Sequence, residues 1–151
     1  MEIITENWGK PPQSWLDYAQ QNWTGRDRLE KTTGRDPVRL EFVERARQAF
    51  TDHGIPANHI RTWINVEVPQ EGEGWSTGYP HTHKNSDGVM LIHYIDPGDE
   101  PAPLGVVTDE GIEKIYPDAG FTAFMPDGIA HGAFKNNGTT NRVALMALAL
   151  P

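Results

Sequence analysis

The chain has 151 residues, a formal net charge of −8 at pH 7 with histidine neutral, and no cysteine. The missing cysteines exclude disulfides, thiolate zinc sites and cysteine nucleophiles, so any metal must be held through nitrogen and oxygen. The acidic balance, with a pI near 5.1, argues against a nucleic-acid partner, because phosphate backbones are bound by clustered Lys and Arg that release counterions. A small-molecule or protein substrate is expected instead.

The length suits a single domain, and a hydrophobic share of 37% with five Trp is enough for one apolar core. The expected layout is a helical N-terminal layer over residues 1–56 and a β core over residues 57–151. No stretch approaches 18 consecutive apolar residues, and the opening MEIITENWGK lacks the basic-then-apolar order of a signal peptide. No membrane partner is expected, and a cytoplasmic location follows by default.

In chain order, Ser14 can cap a short helix through Asn22. Asp36-Pro37 then reads as an N-cap followed by proline at the first helical position. From Pro37 to His53 the apolar residues Val38, Leu40, Phe42, Val43, Ala46 and Phe50 recur at roughly helical spacing, and Gly54 is placed to end the run.

Beyond Gly54 the period becomes two. Ile60, Thr62, Ile64, Val66 and Val68 alternate with Arg61, Trp63, Asn65 and Glu67, the signature of a strand. Further strands are expected near Tyr79 to His83, Gly88 to Asp96, Gly105 to Thr108, Ile112 to Tyr116, Phe121 to Pro126, Ala130 to Lys135 and Arg142 to Leu150. Roughly eight short strands punctuated by Gly, Pro, Asn and Asp predict a mainly β fold, a sandwich or barrel of jelly-roll type. The last strand is apolar on both faces after Arg142, whereas a sheet with one wet face would alternate. The two N-terminal helices are therefore expected to pack on the sheet that contains it.

His81 and His83 stand at i and i+2, which on a strand turns both imidazoles to one face. His131 on an opposing strand is the candidate third ligand, and Asp87 is a further candidate if the loop Lys84 to Ser86 curls back. Arg142 opens an otherwise apolar strand, and an inward guanidinium there calls for an anionic partner. His53, His59 and His93 read as structural or surface residues.

These residues resemble two related groups of double-stranded β-helix proteins. Gly120 followed by Pro126-Asp127-Gly128-Ile129-Ala130-His131 is similar to the second cupin motif, with Asn136 one place late. His81-x-His83 matches part of the first, with Asp87 near its glutamate and Trp75 where a glycine is usual. The closer resemblance is to the 2-oxoglutarate and Fe(II)-dependent oxygenases, particularly small bacterial and phage-type members. It rests on Trp63-Ile64-Asn65-Val66, Pro80-His81-Thr82-His83, Gly88-Val89 through Tyr94, Pro117-Asp118-Ala119-Gly120, His131 and Arg142, and covers about residues 60–150.

That resemblance implies a double-stranded β-helix with Fe(II) held by His81, His83 and His131. It also implies 2-oxoglutarate anchored by Arg142 and Tyr94, with Asn65 lining the pocket, and hydroxylation of a C–H bond of an unidentified substrate. His83 stands where most members carry Asp or Glu, and three neutral imidazoles leave the iron more positive than a set with one carboxylate. The alternatives are a cupin-type three-histidine dioxygenase or isomerase that does not use 2-oxoglutarate, and a non-enzymatic jelly-roll binding module.

Overall fold

A computed structural model describes residues 1–23, 25, 29–31, 35–82, 87–100 and 102–151. The alternating run after Gly54 forms strand β3 (His59–Glu67), and it lies beside the last strand, β9 (Arg142–Leu150), in antiparallel register from His59↔Leu150 to Glu67↔Arg142. Around this pair the chain builds a six-stranded sheet from β1 (Ile4–Asn7), β2 (Leu29–Lys31), β4 (Val89–Asp96) and β7 (Phe121–Pro126), in the order β1-β7-β4-β9-β3-β2. A smaller sheet of three strands, ordered β6-β5-β8, is made by β5 (Leu104–Thr108), β6 (Gly111–Ile115) and β8 (His131–Ala133).

Each strand of the large sheet sends alternate side chains to opposite faces, and both faces are apolar. Ile64, Val66, Leu91, Phe124, Leu145, Ala147 and Ala149 face the helices, packed with Trp15, Tyr18, Phe42, Ala46 and Phe50. Trp63, Met90, Ile92, Tyr94, Ala123, Met125, Ala144, Met146 and Leu148 face the other way and meet Leu104 and Val106 of the small sheet. The helical cover expected over β9 is therefore present, and it explains why Leu145 and Ala147 are as apolar as Ala144 and Met146. Burying a leucine side chain contributes about 2 kcal/mol, so covering this face outweighs leaving it wet.

The helices start and stop for local reasons. Helix α2 (Pro37–Asp52) begins where the Asp36 carboxylate accepts from the Val38 N–H at 2.9 Å, with Pro37 following as expected. It ends in a Schellman motif: Ile55 N–H donates to Phe50 O (2.8 Å) and Gly54 N–H to Thr51 O (3.0 Å), with Gly54 at φ +67°. Helix α1 (Gln13–Asn22) differs from expectation at its start. Pro12 is its N-cap, with no side-chain capping bond, and Ser14 lies inside the first turn. The rigid φ of Pro12 presets the turn without a side-chain acceptor.

Two expected strands are shorter than predicted. Of Tyr79 to His83, the described part makes one isolated antiparallel bridge, His81↔His131, because Pro80 has no N–H to donate and Gly78 turns the chain at φ +88°. His83 lies outside the described residues. The strand expected from Ala130 to Lys135 is reduced to β8. Strands β1 and β2 were not expected from the sequence; both are short edge strands of the large sheet. Among the described residues no helix is long and apolar enough to cross a membrane.

Gly120, shared by both family-like patterns, has a packing role. It holds φ +87°, its N–H donates to Tyr94 O (2.8 Å), and its carbonyl accepts from Trp8 N–H (2.9 Å). A Cβ there would lie 2.0 Å from the carbonyl oxygen of Gly9. Trp75, in place of the cupin glycine, stacks on Phe134 with centroids 4.5 Å apart and lies against the cross-strand pair Gly105 and Gly132.

Candidate functional site

Between the two sheets lies a cavity of about 300 Å³, lined by Trp63, Asn65 and Glu67 of β3, Ile92 and Tyr94 of β4, Leu104, Met146, His131 to Ala133, and the segment carrying Ser76, Thr77, Tyr79 and His81. A mostly apolar hollow with a few convergent polar groups has the usual form of a small-ligand site. Segment 69–81 is tied along β8 and the residues that follow it by backbone bonds: Gln70 N–H to Asn136 O (2.7 Å), Ser76 N–H to Ala133 O (2.8 Å) and Lys135 N–H to Gly74 O (2.9 Å).

His81 and His131 come together inside this cavity. Each donates its backbone N–H to the other's carbonyl (2.8 and 3.0 Å), and their ring centroids are 5.0 Å apart. His131 is buried, and its Nδ1 lies 2.9 Å from Ile129 O. A carbonyl only accepts, so Nδ1 carries the proton and Nε2 presents the lone pair, the tautomer a metal needs. Asp87 is exposed at the turn before β4 and does not line the cavity. Among the described residues no cluster of three or more His, Asp or Glu is close enough to hold a metal ion.

Arg142 is fully inside the protein, 2% exposed, on the β9 face shared with Ala144 and Met146. Its Nη1 donates to Ala102 O and its Nη2 to Phe134 O (2.8 Å), while Nε is buried with no hydrogen-bond partner among the described residues. Directly across the ladder is Glu67, 6% exposed, which lines the cavity where Arg142 does not. Tyr94 lines the same wall. Burial, joined by the charge of Glu67, pushes its hydroxyl up to about 12 against the opposing pull of Arg142. The phenol is thus a hydrogen-bond donor at any ordinary pH.

Asn65 lines the cavity, and Trp63 does so while also packing in the core. His93 points to the other face, bonded to Thr122 Oγ1 (2.9 Å) and packed on Trp8 and Trp15; burial, then Arg45, lowers it to about 4. His53 pairs with Glu6 at 3.1 Å. Glu67, Ser76, Thr77 and Tyr79 were not picked out from sequence. Glu67 could have been, since it continues the i, i+2 series of Trp63 and Asn65.

No protein-family model matches the chain, and no curated protein matches it in sequence. Among solved structures it is similar to a prolyl-4-hydroxylase from Pseudomonas putida, with TM-score 0.66 and 11% identity over 97% of this chain and 91% of that one. It is similar to HygX from Streptomyces hygroscopicus, solved with nickel and 2-oxoglutarate bound, with TM-score 0.68 and 9% identity over 97% of this chain and 82% of that one. A third is the viral collagen prolyl hydroxylase vCPH from Paramecium Bursaria Chlorella virus-1, with TM-score 0.67 and 11% identity over 100% and 90%. At these identities the likeness is one of fold: the chain has the jelly roll of the 2-oxoglutarate-dependent oxygenases.

Proposed function

We propose that the chain is an Fe(II)- and 2-oxoglutarate-dependent dioxygenase that hydroxylates a C–H bond of a small-molecule or protein substrate. The observation that carries this reading is the meeting of His81 and His131 in one cavity, with Tyr94 on its wall and the guanidinium of Arg142 buried one ladder rung away with an orphaned Nε. HygX, of like fold, holds nickel and 2-oxoglutarate.

The residues fit the implied groups. His81 and His131, with His83 as the third ligand, would hold the metal through imidazole nitrogen, and Ile129 O fixes the orientation of the His131 ring. Bound Fe(II) would supply dioxygen activation, coupled to conversion of 2-oxoglutarate to succinate and carbon dioxide. Arg142 Nε and the Tyr94 hydroxyl are the donors for the far carboxylate of 2-oxoglutarate, both already dry and held. Trp63, Ile92, Leu104 and Met146 keep water from the reacting end. Anaerobic addition of Fe(II) and then 2-oxoglutarate should produce a weak visible charge-transfer band; metal uptake without the band would overturn the reading.

A second reading is favoured by one observation: two of the three Arg142 nitrogens already donate to backbone carbonyls. That fits a cupin-type dioxygenase in which the organic substrate itself ligates the metal and Arg142 braces β9. In that case 2-oxoglutarate leaves the rate of oxygen consumption unchanged.

A further inference from the structure

An aspartate at a turn ordinarily bonds the backbone two residues on, as Asp96 does by accepting from Gly98 N–H at 2.9 Å. Asp99, three residues later, reaches across to the segment that leads into β9. Its carboxylate accepts from Thr139 N–H (2.8 Å), the Thr139 hydroxyl, Thr140 N–H (3.3 Å) and the Thr140 hydroxyl (3.4 Å), while its own N–H donates to Thr140 Oγ1 (3.0 Å). Gly138 leaves room for it, since a Cβ there would lie 2.2 Å from Asp99 Oδ1. The Thr139 hydroxyl, and then the Thr139 N–H, holds the carboxyl down at about 2, so this tie is ionised at any ordinary pH.

What the tie joins is the seat of Arg142. Thr140 stands two residues before Arg142, and Ala102, whose carbonyl accepts from Arg142 Nη1, stands three residues after Asp99. The other acceptor, Phe134 O, belongs to a residue whose N–H donates to Pro103 O at 3.1 Å. The Ala102 carbonyl is thus held on one side by Phe134 and on the other by Asp99, and the same Asp99 fixes the chain that carries the guanidinium in. We infer that Asp99, exposed and outside the cavity lining, is a positioning residue that sets the direction in which Arg142 presents its Nε–H to the cosubstrate. The inference rests on the proposed 2-oxoglutarate reading and concerns the same site. A guanidinium holds a carboxylate through directed N–H bonds, so a fork free to swing loses affinity with its charge unchanged. The loop before β9 keeps its own shape without Asp99, because the buried Asn136 amide donates to Thr140 O (2.8 Å) and Glu67 O (2.9 Å) and accepts from Gly138 N–H (3.0 Å).

The test compares the whole wild-type chain with Asp99→Ala and Asp99→Asn. Without metal, nitrogen-15 NMR of the Arg142 side chain should show restricted rotation of the guanidinium in the wild type and in Asp99→Asn, and faster rotation in Asp99→Ala. With Mn(II) bound, calorimetric titration should give 2-oxoglutarate binding about tenfold weaker in Asp99→Ala and within about threefold of wild type in Asp99→Asn, with Mn(II) affinity the same in all three. In an Arg142→Gln background Asp99→Ala should cost nothing further, since its effect runs through the guanidinium. Thr139→Ala, which removes one donor, should weaken binding about threefold and decides the matter if Asp99→Ala does not fold. If the wild type binds 2-oxoglutarate and Asp99→Ala binds it equally tightly, or if the loss persists in the absence of Arg142, the inference falls and the proposed function stands. If 2-oxoglutarate does not bind the metal-loaded wild type, the proposed function falls and the role of Asp99 toward the cosubstrate falls with it.

Discussion

His81 and His131 face each other across a single antiparallel bridge, exchanging both backbone hydrogen bonds while their imidazoles meet in the cavity. The backbone thus sets the separation of the two rings, which would remove much of the ordering cost of binding the metal proposed to lie between them. His131→Ala should cut the affinity for Fe(II) or Mn(II) at least about 100-fold while leaving the far-ultraviolet circular dichroism unchanged. Equal metal uptake by wild type and variant would remove His131 from the metal site.

Replacing Arg142 removes two bonds to backbone carbonyls as well as the proposed hold on a carboxylate. Arg142→Gln is expected to raise the KM for 2-oxoglutarate about 100-fold, some 2–3 kcal/mol of charge-assisted bonding, with metal affinity changed less than threefold. Steady-state oxygen consumption at varied 2-oxoglutarate measures it. A fall in kcat with unchanged KM would assign Arg142 to the scaffold alone.

His93 links the protein's stability to pH. Burial holds it neutral in the fold down to about 4, whereas the unfolded chain protonates near the ordinary 6.5. The unfolded state therefore binds more protons between these values, so the contribution is complete above pH 6.5 and is lost as pH falls toward 4. The loss is on the order of 3 kcal/mol. Urea unfolding midpoints across that range should decline in the wild type and decline less in His93→Gln.

Gly120→Ala should be among the most damaging single-atom additions. The backbone at φ +87° disfavours a side chain, and the new Cβ would press on the backbone of Gly9, which has no flexible end to yield. A loss of about 3 kcal/mol is expected, read as a fall in Tm of several degrees. An unchanged Tm would show that the N-terminal segment yields freely.

Much of this architecture was legible because burial writes a period into a strand. The double-faced apolar run of β9 announced the helical cover, and the lone Arg142 within it announced an inward charge; both stand in the structure. Alternation also put Asn65 on the cavity wall and His93 opposite Tyr94. What was not legible lies where no period exists. Ser76, Thr77 and Tyr79 reach the cavity from an irregular segment whose path is set by glycine turns and by bonds to β8, and those partners are distant in sequence. Strand β1 is four residues long at a sheet edge, too short to show alternation. Glu67 was readable as inward but carried no signal that its neighbour would be Arg142, since register emerges only when the strands pair.

The position of β9 in the large sheet sets an order on folding. It is the last strand in the chain, yet it sits between β4 and β3, so two halves of the sheet that precede it have no shared edge until it arrives. Pairing His59 with Leu150 closes a loop of most of the chain, an entropic cost met before any reward. Folding is therefore expected on the millisecond-to-second scale of nonlocal β topologies, with β9 docking late. Until then the inner edges of β3 and β4 stay open to any other extended chain, and a newly made molecule is at its most aggregation-prone in that interval.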